Sequence, residues 1–385
     1  MRVVQVVTLV SDDGTFGGPP SVAVAQLQEL AERGHDVRLV SLWRGGTPAP
    51  PRIGAVPFVS RRARTVVPGQ GCLGLMHPSL LWDLWRTMGR ADAVHLHVGR
   101  DLVSLAALAV ARLRRVDFVV QTHGMVEPRT AAVARVFDSV YVPLLRRARC
   151  CLVLTERERR ALSAVLGTAW PPLVTLANGL RPSPHARPEQ TRDTREVIFL
   201  ARLHPRKRPE VFVEMAALVH KEIPEARFTL YGADEGSLGQ VEQLIADRGL
   251  TDVVRYGGPL EHSAALEAYR KATVYVLPSV NEPFPMTVLE ALAEGTPVVC
   301  TTSCGIAEEL ADRQAAQVTD GSAEALAEAV SRLLADEGLR RRLVDAGHRA
   351  VEEVFSIRAV VDRLEAVYRD RSRGRDASRR AVRSR

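Results

Sequence analysis

The sequence predicts an α/β protein built from two doubly wound parallel sheets. Three observations carry that expectation. Short apolar runs alternate with stretches of helical spacing along nearly the whole chain. The alternation breaks once, at a proline- and charge-rich stretch, and then restarts. The length of 385 residues suits two cores of ordinary size better than one.

The first run, "VVQVVTLV", is continuously apolar, as a strand buried on both faces would be. A glycine-rich loop, "SDDGTFGGPP", follows it, and "SVAVAQLQELAERG" then has helical spacing up to Gly34, a good C-terminal cap. "HDVRLVSLW", "DAVHLH", "FVVQTH", "CLVLT" and "LVTLAN" read as further strands with helices between them, while residues 43–78 read as a long irregular loop. The segment 181–195, "RPSPHARPEQTRDTR", holds no large apolar residue and reads as a linker. After it "VIFLAR", "RFTLYG", "VVRYGG", "TVYVLPS", "PVVCT" and "AAQVT" repeat the pattern. The expected organisation is a first domain over 1–180, the linker 181–195, a second domain over 196–355, a closing amphipathic helix over 356–370 and a tail over 371–385.

Charge and cysteine content narrow the function classes. The net charge is +7, but the stretch from Arg369 to Arg385 supplies +6 of it. The high pI therefore comes from a short tail and not from a basic groove, which argues against a nucleic-acid partner. Such a tail reads as disordered, with anionic lipid or a polyanion as a partner and a solvated end as the plainer alternative. Five cysteines, Cys72, Cys150, Cys151, Cys300 and Cys304, have no metal-ligand spacing and read as reduced thiols of a cytoplasmic protein. The opening residues look like a strand and not a signal peptide. No stretch reaches 18 uninterrupted apolar residues.

Open α/β sheets bind ligands beyond the carboxyl ends of their strands, so the cleft between two such domains is the expected site. At those strand ends stand the candidate residues. Arg202 ends the first strand of the second domain, and Lys207 lies just before a helix that Pro209 would start. Two cations beside a helix N-terminus make an anion site, with a solvated basic turn as the plainer alternative. Lysine is scarce here, three against 49 arginines, and a compact ammonium suits a phosphate.

"NEPFPMTVLEALAEG" places Glu282 in a loop, Pro285 at the first helical position and Glu290 about 7.5 Å further along the helix axis. The amides of Phe284, Met286 and Thr287 lie between the two carboxylates. Carboxylates accept well from vicinal hydroxyls. Read singly, Glu282 is better explained as a helix N-terminal carboxylate and Glu290 as a surface glutamate.

In the first domain Gly17 and Gly18 permit close approach of backbone to a ligand, or simply a tight turn. His123 stands at a strand end with Gly124 behind it. No G-x-G-x-x-G follows the first strand, which disfavours a dinucleotide-dependent dehydrogenase. His95 and His97 in "VHLHVGR" are expected on opposite faces of the sheet, which argues against a shared metal.

In order and spacing, "GG-P" at 17–19, "HG" at 123–124, "NG" at 178–179, "ARLHPRK" at 201–207 and the glutamates at 282 and 290 resemble the family 4 retaining nucleotide-sugar glycosyltransferases. The likeness extends to about residue 370. It implies the GT-B fold, two Rossmann-like domains facing across a cleft, and sugar transfer without a bound metal or other cofactor. By that resemblance the donor is a UDP- or GDP-sugar. The acceptor, a glycan, a lipid-linked or a small molecule, sits mainly on the first domain.

The resemblance also implies roles. Arg202 and Lys207 would hold the diphosphate, Glu290 the ribose, and Glu282 with the amides after it the transferred sugar. Tyr256 and Gly257 would lie against the base, His123 near the anomeric centre and Gly18 near the phosphates. The sequence departs from the family at Pro283 and Pro285, where glycines flank the phenylalanine, and at Ala201 and Arg208, where glycines are usual. A sugar-nucleotide epimerase of the same architecture and a non-catalytic binding protein are the alternatives.

Overall fold

A computed structural model describes residues 1–12, 18–168, 171–181 and 195–370. Gly17, most of the expected linker (182–194) and the expected tail 371–385 lie outside the described residues. The chain divides into two compact units, Met1–Gly179 with Ile357–Arg385, and Leu180–Ser356.

Unit 1 carries an eight-stranded sheet among its described residues. Edge to edge it runs Leu173–Thr175, Cys150–Val153, Phe118–Gln121, Ala93–His97, Arg2–Ser11, Asp36–Arg44, Val56–Arg62 and Arg52–Ile53. The strands pair in parallel except the last two, which form an antiparallel pair. Strand order reverses between Arg2–Ser11 and Ala93–His97, so the ends of these two strands flank the switch point of the sheet.

Residues 43–78 are thus less irregular than expected. They contain Val56–Arg62, paired in parallel with Asp36–Arg44, and a small antiparallel pair, Arg64–Thr65 with Leu75–Met76. Pro57 inside a strand near the sheet edge hides it from a reading based on apolar runs.

The two faces of this sheet differ in chemistry. Val4, Val6, Val94, Leu96 and Val120 belong to an apolar core that includes Leu80 and Leu84 of the helix Pro78–Met88 and Val103, Leu108 and Ala111 of the helix Leu102–Arg114. The residues between them, Gln5, His95, His97 and Gln121, are equally buried but polar. Gln5, His95 and Gln121 find partners in Gln26, on the helix Gly18–Glu32, and Tyr368, on the helix Ile357–Arg369, while His97 bonds Gln5. The C-terminal helix, which follows unit 2 in sequence, is therefore part of the core of unit 1.

Unit 2 carries a six-stranded parallel sheet ordered Val254–Tyr256, Arg227–Tyr231, Glu196–Leu200, Val274–Leu277, Val298–Thr301 and Gln317–Thr319. Its switch point falls between Glu196–Leu200 and Val274–Leu277. Nearly every residue of these central strands is buried, which explains their continuous apolar reading. Pro209 opens the helix Pro209–Glu222 as expected. Pro285 stands one place earlier than expected, as the N-cap of the helix Met286–Ala293, with φ −83° and ψ 99°. Gly295 follows that helix at φ +77°, the left-handed conformation that a C-terminal glycine supplies.

Candidate functional site

At the unit 2 switch point two loops meet. The loop after Glu196–Leu200 ends in a short 3₁₀ turn, Pro205–Lys207, with His204 Nδ1 accepting from the Arg206 amide at 3.1 Å. The loop after Val274–Leu277 is joined to it by the Val280 N–H, which donates to the Arg206 carbonyl at 2.9 Å. This bond brings Lys207 and Glu282 together: the Lys207 ammonium donates to Glu282 Oε2, and both side chains are nearly buried, 12% and 9% exposed. The backbone of Glu282 is held in turn by the Gly305 N–H, 2.8 Å from its carbonyl.

The backbone is unusual on both sides of this pair. Arg208 has φ +53° and Asn281 φ +54°, in the left-handed region that favours glycine. The conformation at Arg208 accounts for the glycine usual there in the family that the sequence resembles. Here the guanidinium gives something back, donating from Nη1 to the Gly321 carbonyl at 2.9 Å.

Arg202 lies at the same strand end but is 59% exposed, and its Nη1 donates to Glu235 Oε1 at 2.5 Å. Glu290 is largely buried. Burial pushes its carboxyl above the ordinary range, His262 opposes the rise and Glu294 adds to it. The Thr287 hydroxyl accepts from Tyr275 Oη at 2.9 Å, so that side chain is engaged inside the unit. Phe284 is also turned inward, its ring edge-on to Phe355 at 6.2 Å. With the Phe284 and Thr287 side chains engaged inside the unit, the first amides of the helix Met286–Ala293, which no carbonyl of that helix can reach, are left as donors at this strand end.

Tyr256 and Gly257 end the edge strand. Tyr256 Oη donates to the Gly232 carbonyl at 2.7 Å, and the Gly257 N–H to the Leu230 carbonyl at 2.9 Å. A Cβ at Gly257 would stand 2.4 Å from the Tyr231 ring, so the strand end closes only with glycine there.

The other two candidates lie in unit 1. Gly18 is the first residue of the helix Gly18–Glu32, and a Cβ built on it would meet nothing within 4 Å. His123 has φ +51° and Gly124 φ +73°. This turn is clamped by Glu158, whose Oε1 accepts from the Thr122 hydroxyl and the Gly124 N–H, each at 2.5 Å, while Oε2 accepts from the Leu154 N–H at 2.6 Å. Glu158 was not among the expected residues. Its signal was the capping pattern Thr155-x-x-Glu158, and Thr155 Oγ1 does accept from the Glu158 N–H at 3.2 Å.

The expectation for His95 and His97 is corrected. Residues two apart on a strand share a face, because side chains alternate with a period of two. The two rings stack at 4.2 Å, and His97 stacks in turn on His123 at 5.0 Å. Burial holds all three imidazoles neutral, with His95 and His123 lowered to about 3 and His97 well below its ordinary value. Among the described residues no group of three His, Cys, Asp or Glu side chains has an arrangement that could hold a metal ion.

Beyond the expected residues, two buried groups stand after Ala93–His97. Arg100 forms a bidentate pair with Asp138, 2.8 and 3.0 Å. Asp101 accepts from Thr8 Oγ1 at 3.0 Å and Ser104 Oγ at 2.7 Å. The five cysteines are free. Among the described residues no helix is long and apolar enough to cross a membrane.

Comparison with known proteins gives this arrangement a family. Residues 183–350 match the model described as glycosyl transferases group 1, and residues 17–179 the model described as glycosyl transferase 4-like domain. A D-inositol 3-phosphate glycosyltransferase of Frankia alni is 31% identical over 281 residues, 66% of this chain and 68% of its own length. The chain belongs to the group 1 glycosyltransferases. The corresponding enzyme of Geodermatophilus obscurus is 35% identical over 181 residues, 45% of this glycosyltransferase and 39% of its own length. The chain spans only 25% of another curated relative, an exopolysaccharide phosphotransferase of Streptomyces coelicolor. Among solved structures, Anabaena HepE in complex with UDP superimposes with a TM-score of 0.74 at 16% identity, covering 95% of this glycosyltransferase and 99% of HepE. The fold is GT-B, with two Rossmann-like domains.

Proposed function

We propose that this glycosyltransferase moves a hexosyl group from a UDP- or GDP-sugar to an acceptor hydroxyl, with retention of configuration and without a resident metal. The observation that carries this reading is the nearly buried Lys207–Glu282 pair at the switch point of unit 2. A cation and a carboxylate that neutralise each other are already largely stripped of water. A ligand with a diphosphate for the one and hydroxyls for the other replaces their mutual contact at little further desolvation cost. A sugar nucleotide is such a ligand. Anabaena HepE, solved with UDP, supports the donor class.

Lys207 and Arg202 take the diphosphate, whose charge the N-terminal end of the helix Met286–Ala293 also favours through its dipole. The amides of Phe284, Met286 and Thr287 and the Glu282 carboxylate take the sugar. Glu290 takes the ribose, and Tyr256 and Gly257 border the base. In unit 1, Gly18 serves the phosphates and His123 the sugar.

In the reaction the bond from the anomeric carbon to the β-phosphate oxygen breaks and a bond to the acceptor oxygen forms. The acceptor proton passes to the departing diphosphate, whose charge the cations and amides stabilise. A cytoplasmic location, with contact between the Arg-rich segment 371–385 and the inner membrane face, belongs to the same proposal.

Calorimetry with UDP and GDP tests the assignment. Glu290→Gln should weaken nucleoside diphosphate binding. Glu282→Gln should leave it intact and lower turnover with the full donor. The reverse result would exchange the two roles. Donor consumption that proceeds fully without any acceptor would replace transfer by epimerisation or hydrolysis. Activity should survive EDTA; loss with EDTA and recovery with magnesium would remove the metal-free mechanism.

A further inference from the structure

We propose that His97 and Gln5 are positioning residues for His123: a line of hydrogen bonds through them fixes the proton of the His123 ring on Nε2 and leaves Nδ1 as an acceptor. The inference rests on the reading of His123 as a group that serves the sugar, but the ring state can be measured apart from it.

The line starts where Gln5 is anchored. Its amide nitrogen donates to Gln26 Oε1 at 3.1 Å and to Tyr368 Oη at 3.2 Å. Its oxygen is thereby the end turned to His97, 2.9 Å from Nε2. An amide oxygen only accepts, so His97 carries a proton on Nε2. A neutral imidazole has one such proton, and His97 Nδ1 is then a lone pair. That lone pair lies 2.8 Å from His123 Nε2. Two lone pairs do not approach so closely, so His123 donates from Nε2 and its Nδ1 is bare.

The surroundings keep the ring from choosing otherwise. Gln5 and His97 are 0% and 3% exposed, with no bulk water to exchange partners. His123 is fixed a second time through its backbone, by Glu158 on the flanking Thr122 and Gly124. Apolar packing needs none of this: the positions on the opposite face of the same strands are valine and leucine. Four polar side chains, Gln5, His97, Gln26 and Tyr368, from two strands and two helices converge on one line that ends at a strand-end histidine.

The test is the ring state itself, read by ¹⁵N and ¹³C NMR on histidine-labelled full chain without donor or acceptor. The wild-type His123 should show the Nε2–H tautomer. His97→Phe keeps a ring in the stack but removes the acceptor, and His123 should then exchange between tautomers. Gln5→Glu is the second variant, usable even if the first fails to fold. Its carboxylate favours a doubly protonated His97, whose Nδ1 would donate, so the His123 proton should move to Nδ1. In both variants kcat should fall about tenfold, the worth of one hydrogen bond, with the donor KM little changed. A wild-type His123 protonated on Nδ1, or a ring state unaltered in both variants, would overturn the line. A shifted tautomer with unchanged kcat would overturn the positioning role.

Discussion

The two units share an architecture and differ in how they hold polar groups at the switch point. Unit 2 holds charge: Lys207 with Glu282, Arg202 with Glu235. Unit 1 holds, as well as the buried Arg100–Asp138 pair, a line of neutral rings and amides, His97, His123 and Gln5, joined end to end and sealed by Tyr368. Yet both place a non-glycine residue in the left-handed region at the decisive loop, His123 in one and Arg208 and Asn281 in the other. Sharp turns at strand ends are common to both, while the electrostatics are chosen separately. A charged pair can release its partner to a ligand; a buried neutral line cannot take up a proton without unfolding or rearranging.

Acid should separate the units most strongly. Each histidine of the column has a folded value lowered from 6.5, so its contribution is complete above that value and is lost as pH falls towards about 3. Between pH 7.5 and 5 that amounts to about 2 kcal/mol for each of His95 and His123, and His97 acts in the same direction. Asp101, raised by burial, offsets part of this at the acid end of the window. The four tryptophans lie at 43, 82, 85 and 170, all within unit 1, so intrinsic fluorescence follows that unit. Its melting temperature should drop steeply below pH 6.5. A fluorescence transition flat from pH 7.5 to 5 would show that the column is not a buried neutral one.

Lys207→Ala should come next in size. Loss of one charge contact to the departing diphosphate should slow turnover about a hundredfold, some 3 kcal/mol. Because Glu282 is then left nearly buried without its partner, unit 2 should also lose about 3 kcal/mol of stability. The paired change Lys207→Met with Glu282→Gln should recover much of that stability and none of the activity. Guanidinium titrations of the single and double variants, followed by circular dichroism, measure both sides. An additive result would mean that the two side chains do not interact.

The smallest effect belongs to Glu290 and has the opposite sign to the histidines. A raised carboxyl costs stability above its folded value, and the cost disappears as pH falls through that value. Glu290→Gln should therefore raise the melting temperature of unit 2 at pH 7.5 by on the order of a degree or two. The gain should vanish in acid. A gain that persists unchanged in acid would assign it to packing and not to charge.

Much of this was open to reading, for physical reasons that differ by element. The central strands are buried on both faces, so they read as unbroken apolar runs. Val56–Arg62 did not, because it lies near the sheet edge and contains Pro57. Lys207 and Glu282 could each be placed at a strand end, but their contact spans 75 positions and follows from the Val280–Arg206 bond between loops. Gln5 and Gln121 sat inside strands as ordinary polar interruptions. Their meaning needed the neighbour strands and Tyr368. The two-residue period of a strand puts His95 and His97 on one face, so their stacking follows from the sequence itself.

The bond from Gln5 to Tyr368 joins positions 363 residues apart. On a translating ribosome, at 5–20 residues per second, roughly 20 to 70 s separate the emergence of the two ends. From the emergence of Leu173–Thr175 until the end of that interval, the polar face of the first sheet has its strands and the helix Gly18–Glu32 but not the helix Ile357–Arg369. Unit 2, Leu180–Ser356, is synthesised entirely within the wait and can fold on its own schedule. Unit 1 thus begins to form before unit 2 and is completed after it.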